Sequence, residues 1–261
     1  MKIKSSLVKR KLKDGGICFG SMLRSLKSPI AVPLYASIGW DFIIVDTEHN
    51  DYNNDIIGNL CLLSKYEEID LYVRVPDKEY HLIALMLDLG ADGIVYPQVK
   101  TQAESQLIKD SSRYYPIGKR GVSISEYVTR CRNISQNDYT KSMNGELVNI
   151  VQIESQEGIE NIDKILSVGE IDAVMIGPAD LTQDMGIPGE FHNPRVKVAF
   201  KKIIESCDNH GVAPGIHLSN IEDVRVWINA GMRFIAYSYD LKFLKDSAAE
   251  SLSNLRELIR H

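Results

Sequence analysis

The sequence predicts an α/β fold, a (β/α)8 TIM barrel formed by one domain spanning residues 1–261. Three observations predict it: the length of 261 residues, eight short apolar runs each followed by a segment of helical spacing, and runs that are continuously apolar rather than alternating. A single barrel of this type needs about 250 residues. Continuous apolarity marks parallel strands buried on both faces. No Gly-x-Gly-x-x-Gly follows the first run, which counts against a dinucleotide-binding open sheet.

The N-terminal stretch "MKIKSSLVKRKLKDGG" is basic and amphipathic, and it reads as an exposed first helix stopped at Gly15-Gly16. No apolar segment and small-residue cleavage site follow it, so a secretory signal is not expected. The strand candidates in order are "ICFGSML" (17–23), "FIIVDTE" (42–48), "LYVRVP" (71–76), "GIVYPQV" (93–99), "VNIVQIE" (148–154), "AVMIGPA" (173–179), "APGIHLS" (213–219) and "FIAYSYD" (234–240). Between the third and fourth, Leu82, Leu85, Met86 and Leu89 fall on one helical face, with Gly90 as the stop. After the fifth, Ile159, Ile162 and Leu166 repeat the pattern. Residues 114–146 form a polar connection longer than the roughly 15 residues that plain loops reach, so it should carry short helices or act as a lid or specificity element. At the C-terminus Leu252, Leu255 and Ile259 share a face suited to packing on the barrel.

A net charge of −5 gives no electrostatic basis for nucleic-acid binding. No apolar tract reaches membrane-spanning length, so no membrane partner is expected. Cys18, Cys61, Cys131 and Cys207 are far apart and form no metal-binding spacing, which fits reduced thiols in a cytoplasmic protein.

Barrel active sites lie at the carboxyl ends of the strands, so polar residues ending the apolar runs are the candidates. They are Asp46, Glu48 and His49 after the second run, Arg74 on the third, Gln152 and Glu154 on the fifth, and Asp180 after the sixth. Strand alternation puts Gln152 and Glu154 on one side. Glu154 and Asp180 come from consecutive strands and can converge. Two carboxylates without cysteine suit a hard ion such as Mg2+ or Mn2+, although Asp180 can equally serve as a helix cap. Gly177-Pro178 ends a strand and leaves the N–H groups of Ala179 and Asp180 free for an anion, or is an ordinary turn. Arg74 needs an anion, either a substrate or an internal partner such as Asp46. His49 is either satisfied by its neighbours or placed as a general base.

Taken together, Asp46-Thr-Glu48-His49, Val73-Arg74-Val-Pro76, Leu87-Asp88-Leu-Gly90-Ala91, Arg120-Gly121-Val122, Val151-Gln152-Ile-Glu154 and Gly177-Pro178-Ala179-Asp180-Leu181 resemble the HpcH/HpaI family of metal-dependent pyruvate aldolases, in order from about residue 15 to 245. The resemblance implies a phosphoenolpyruvate/pyruvate-type barrel that reversibly cleaves a 4-hydroxy-2-oxo acid into pyruvate and an aldehyde through a metal-stabilised enolate. It assigns Glu154 and Asp180 to a divalent ion (Mg2+, Mn2+ or Co2+), with no organic cofactor. Gln152, Gly177, Pro178, Ala179 and Asp180 would contact the 2-oxo acid. Arg74 would face the keto oxygen, His49 would be the base, and Asp88 would raise its basicity across a subunit interface. Asp46 and Glu48 would support the metal surroundings. The last helix can exchange between neighbours in that family, and a hexameric trimer of dimers is implied. Ser123 and Tyr96 depart from the usual family pattern, so the aldehyde preference transfers least. Two other readings remain: an acyl-CoA or citramalyl-type lyase, for which no basic nucleotide loop is visible, and a non-catalytic barrel that binds 2-oxo acids.

Overall fold

The computed structural model describes residues 3–259; Met1, Lys2, Arg260 and His261 lie outside the described residues. All eight predicted strands form and close into one parallel barrel, in the order β1 to β8, with β8 pairing to β1. The first half runs α1 (Leu7–Lys13), β1 (Cys18–Leu23), α2 (Ala31–Ile38), β2 (Phe42–Asp46), α3 (Asn54–Ser64), β3 (Asp70–Arg74), α4 (Tyr80–Asp88), β4 (Gly93–Tyr96) and α5 (Gln102–Ser112). The second half continues with α6 (Glu126–Thr129), α7 (Gln136–Glu146), β5 (Val148–Ile153), α8 (Gln156–Glu160), α9 (Ile162–Ser167), β6 (Ala173–Ile176), α10 (Pro178–Asp184), α11 (Pro194–His210), β7 (Ala213–Leu218), α12 (Ile221–Asn229), β8 (Phe234–Tyr239) and α13 (Asp240–Glu257).

The continuous apolarity of the runs has a simple origin. One parity of each strand packs inside the barrel, including Met22, Phe42, Ile44, Tyr72, Val95, Ile150, Met175 and Phe234. The other parity, including Ile43, Val45, Val73, Ile94, Val151, Val174 and Ile235, meets the surrounding helices. Phe42 and Phe234 stack inside with ring centroids 4.3 Å apart. Gly20 makes room for them, since a Cβ there would stand 2.2 Å from the Phe42 ring.

Three expectations change. The first helix is not merely exposed: Val8 and Leu12, one turn apart, are buried and join the inner barrel cluster. Asp70 anchors this helix by accepting from Ser6 Oγ and, at 3.0 Å, from the Val8 N–H. Its apolar stripe closes the amino end of the barrel.

The long connection does carry its own helices, α6 and α7. Yet α5 runs from the mouth toward the amino end, so the connection between α5 and β5 lies at the end opposite the mouth. There Ser125 Oγ donates to the Asp88 carbonyl at 2.6 Å, and Glu146 accepts from the Ser6 N–H at 2.8 Å. Between its two ends the segment runs along α4, where the Gly121 N–H donates to Tyr80 Oη at 2.9 Å.

α13 is also not packed as its apolar face suggests. Asp240 is its one buried residue among those described. Leu244, Leu252, Leu255 and, just beyond the helix, Ile259 are exposed.

Candidate active site

The inward parity of the strands decides which polar residues meet at the mouth. Asp46, Arg74, Gln152 and His217 all continue inward-facing columns of the inner cluster at the carboxyl ends of β2, β3, β5 and β7. Glu154 follows β5 on the same parity.

Asp46 is fully buried and organises the β2 end of the site. Its Oδ1 accepts from Arg74 Nε at 2.9 Å and from the N–H groups of Glu48 and His49 at 3.1 and 3.4 Å. Its Oδ2 accepts from Asn50 Nδ2 at 2.6 Å and pairs with Arg74 Nη2 at 2.8 Å. The turn that presents Glu48 and His49 is therefore built on one carboxylate. Burial pushes the Asp46 carboxyl up, but the hydrogen bond and charge of Arg74 outweigh it and hold it below the ordinary carboxylate range. Burial pulls Arg74 down, and Asp46 and Glu48 overcome this to hold it above its ordinary value. The internal partner anticipated for Arg74 exists. The third guanidinium nitrogen, Nη1, lies 3.0 Å from Glu48 Oε2.

His49 stands at the rim, with its side chain about half exposed and Nε2 3.8 Å from Glu48 Oε2. Glu48 thus bridges Arg74 and His49.

Glu154 and Gln152 are both buried and joined by a Gln152 Nε2 to Glu154 Oε2 hydrogen bond. Glu154 Oε1 accepts from the Gln98 N–H at 2.8 Å. Burial, with the charges of Asp180 and Glu48, pushes the Glu154 carboxyl up to about 7, against the pull of the Gln98 N–H. Gly177 packs on this pair so tightly that a Cβ would stand 2.4 Å from Glu154 Oε2. Asp180 is exposed in the first turn of α10. Burial likewise raises the Glu48 carboxyl, with Asp180 among the neighbours adding to it and Arg74 opposing.

These carboxylates fit a divalent cation. Glu154 is buried, crowded by negative charge and drawn toward its neutral form, the condition that a bound cation reverses. No group of three or more His, Cys, Asp and Glu side chains forms a ready metal cage among the described residues. Two carboxylates with room for water or substrate oxygens is the arrangement expected of a hard ion held partly by its substrate.

Asp88 is not near His49 in its own barrel. It ends α4, whose direction carries it to the amino end, where Arg120 Nη2 donates to it at 2.6 Å. The Arg120 side chain is fully buried and lies over the Tyr114 ring.

Three mouth residues were not among the sequence candidates. His217 sits inward on β7, with Nε2 3.3 Å from the Ser238 carbonyl. Arg24, just beyond β1, lies 4.0 Å from Asp46 Oδ2 and stacks over Tyr239. Strand parity could have found His217, because it lies two and four residues beyond the inward Gly215 and Ala213 of "APGIH". Tyr239 depends on a bulge in β8 at Ser238, a left-handed residue with φ 57°, which no local pattern announces.

Burial and the nearby Arg74 and Arg24 charges push the His217 imidazole down to about 4. An unfolded chain binds a proton at about pH 6.5, so between those values protons favour unfolding. Stability is unaffected above this window and falls as pH drops through it, by up to about 2 kcal/mol at pH 5. Urea midpoints of the wild type and His217→Leu at pH 7.5 and 5 should show the smaller acid loss in the variant. Equal losses would contradict this linkage.

The HpcH/HpaI aldolase/citrate lyase profile matches residues 22–247. A hydroxypyruvate/pyruvate aldolase of Roseobacter denitrificans is 31% identical over 237 residues, covering 90% of this chain and 91% of that protein. A 5-keto-4-deoxy-D-glucarate aldolase of Escherichia coli K12 is 31% identical over 255 residues, covering 97% and 95%. The crystal structure of an HpcH/HpaI aldolase from Desulfitobacterium hafniense superposes with a TM-score of 0.92 at 30% identity, covering 97% and 98%. Fold, mouth chemistry and likeness along nearly the whole chain agree: it belongs to the HpcH/HpaI aldolase/citrate lyase family of carbon–carbon lyases.

Proposed function

We propose that the chain is a divalent-metal-dependent aldolase that reversibly cleaves a 4-hydroxy-2-oxo acid into pyruvate and an aldehyde. The observation that carries this reading is the convergence of Glu154, Asp180, Arg74 and the rim histidine His49 on one barrel mouth. Glu154 and Asp180 would hold the ion, which supplies positive charge that polarises the 2-oxo group.

The remaining work falls to the chain. The N–H groups of Ala179 and Asp180, in the first turn of α10, receive the substrate carboxylate, and Gln152 contacts the 2-oxo acid. Arg74, already fixed by Asp46 and Glu48, places positive charge where the enolate oxygen develops, with no reorganisation during reaction. His49 takes the C4 hydroxyl proton as the C3–C4 bond breaks. The electron pair of that bond becomes the C2–C3 double bond of the enolate, and the aldehyde departs. A proton returned to C3 completes pyruvate.

Asp88 can support His49 only from a neighbouring copy, because α4 carries it away from its own mouth. The exposed apolar face of α13 supports a homo-oligomer, a trimer of dimers in this reading. Buried, free Cys18, Cys61 and Cys207 suit a reducing cytoplasmic setting.

Pyruvate C3–H exchange in D2O tests this reading. Chelator-treated protein should lose the exchange and regain it with Mg2+, Mn2+ or Co2+. Exchange that survives chelation would remove the metal from the mechanism.

A further inference from the structure

We propose that His217 is the hydroxyl-accepting residue of the mouth and that it favours 2-oxo acids carrying a hydroxyl on C3. This rests on the reading that the mouth binds a 2-oxo acid. A carbonyl oxygen only accepts, so the contact of Nε2 with the Ser238 carbonyl at 3.3 Å puts the ring proton on Nε2 and leaves Nδ1 a bare acceptor. The β8 bulge makes this contact: Ser238 adopts a left-handed conformation at the point where the register between β1 and β8 shifts. Burial, joined by the Arg74 and Arg24 charges, outweighs the opposing Ser238 carbonyl and Asp46 and keeps the ring neutral at physiological pH. Nδ1 has no hydrogen-bond partner among the described residues.

The place of C3 follows from the other two substituents of C2. The carboxylate goes to α10, after β6, and the oxo group points across the mouth toward Arg74 on β3. Gln152 and Glu154 fill the β5 side. C3 is left facing β7 and β8, where His217 stands. A methyl group there would leave Nδ1 buried against carbon, whereas a hydroxyl would donate to it. Sites built to bind a hydroxyl discriminate against analogues that lack one, because a polar atom of the site then goes unpaired.

The test compares C3–H exchange of pyruvate and 3-hydroxypyruvate by the Mg2+-loaded full chain. In His217→Leu, the hydroxypyruvate-to-pyruvate ratio of kcat/KM should fall about tenfold, the worth of one neutral hydrogen bond. In His217→Asn, whose side-chain oxygen can stand close to the Nδ1 position, the ratio should return to near the wild-type value. Nitrogen NMR of the metal-free protein near neutral pH should show His217 as the neutral Nε2–H tautomer. An unchanged ratio in His217→Leu, an equal loss in His217→Asn, or an Nδ1–H tautomer each overturns the assignment while leaving the aldolase reading intact. Wild-type protein that exchanges neither acid with Mg2+, Mn2+ or Co2+ overturns both, and that result precedes any substitution.

Discussion

Arg74→Ala is expected to slow pyruvate C3–H exchange by about 10²–10³, the usual loss when one preorganised charge at a developing oxyanion is removed. The guanidinium is about nine-tenths buried and aimed by two carboxylates, through Asp46 at 2.8 and 2.9 Å and Glu48 at 3.0 Å. Its worth in a water-poor mouth exceeds what the same charge would have at the surface. Metal affinity should change far less, because the hydrogen bonds and ion pairs of Arg74 among the described residues go to Asp46 and Glu48 and not to Glu154 or Asp180. Titration calorimetry with Mn2+ separates the two effects. Arg74→Lys should recover only part of the rate, since an ammonium cannot bind Asp46 in the bidentate way while also reaching Glu48. If Arg74→Ala exchanges C3–H at the wild-type rate, Arg74 serves the fold and not the enolate.

The barrel was legible because its strand signal is redundant. Each of the eight runs satisfies both an inner and an outer packing surface, so an apolar residue was needed at nearly every position and the sequence could hardly hide them. The charged candidates on β2, β3 and β5 were legible for the converse reason. A charge that ends such a run, like Asp46, or lies within it, like Arg74, has no ordinary place in a dry core. What escaped notice depended on direction rather than residue type. His217 is polar but unremarkable until strand parity turns it inward, and Tyr239 is re-aimed by a bulge. The connection 114–146 looked like a lid because length alone carries no information about which end of a barrel a segment occupies. The direction of α5 places its two ends, and contacts such as Gly121 with Tyr80 place its middle along α4. α13 shows the same limit: a sequence reveals that a helix has an apolar face, not which copy of the chain covers it.

The other large effect concerns Asp46, which the family resemblance places among the supports of the metal surroundings and the geometry makes the keystone of the turn. Asp46→Ala removes the acceptor for the Glu48 and His49 N–H groups, the Asn50 amide and two Arg74 nitrogens. It leaves a buried guanidinium with Glu48 as its remaining close partner. Breaking one side of a buried pair typically costs about 3–5 kcal/mol, and that is the expected loss in urea unfolding with an unchanged m-value. Asp46→Asn should cost less, since its oxygen can still accept from the backbone of the turn. The pH dependence follows from the depressed native value of the Asp46 carboxyl. Stabilisation from a depressed carboxylate is fully present above the unfolded value of about 3.9 and is lost as pH falls through the native value. The stability gap between wild type and Asp46→Ala should therefore hold steady from pH 8 to 6 and narrow in acid, below about pH 4. A gap that persists undiminished in acid would trace the loss to the cavity left by the side chain, and the ion pair with Arg74 would have to be credited with positioning alone.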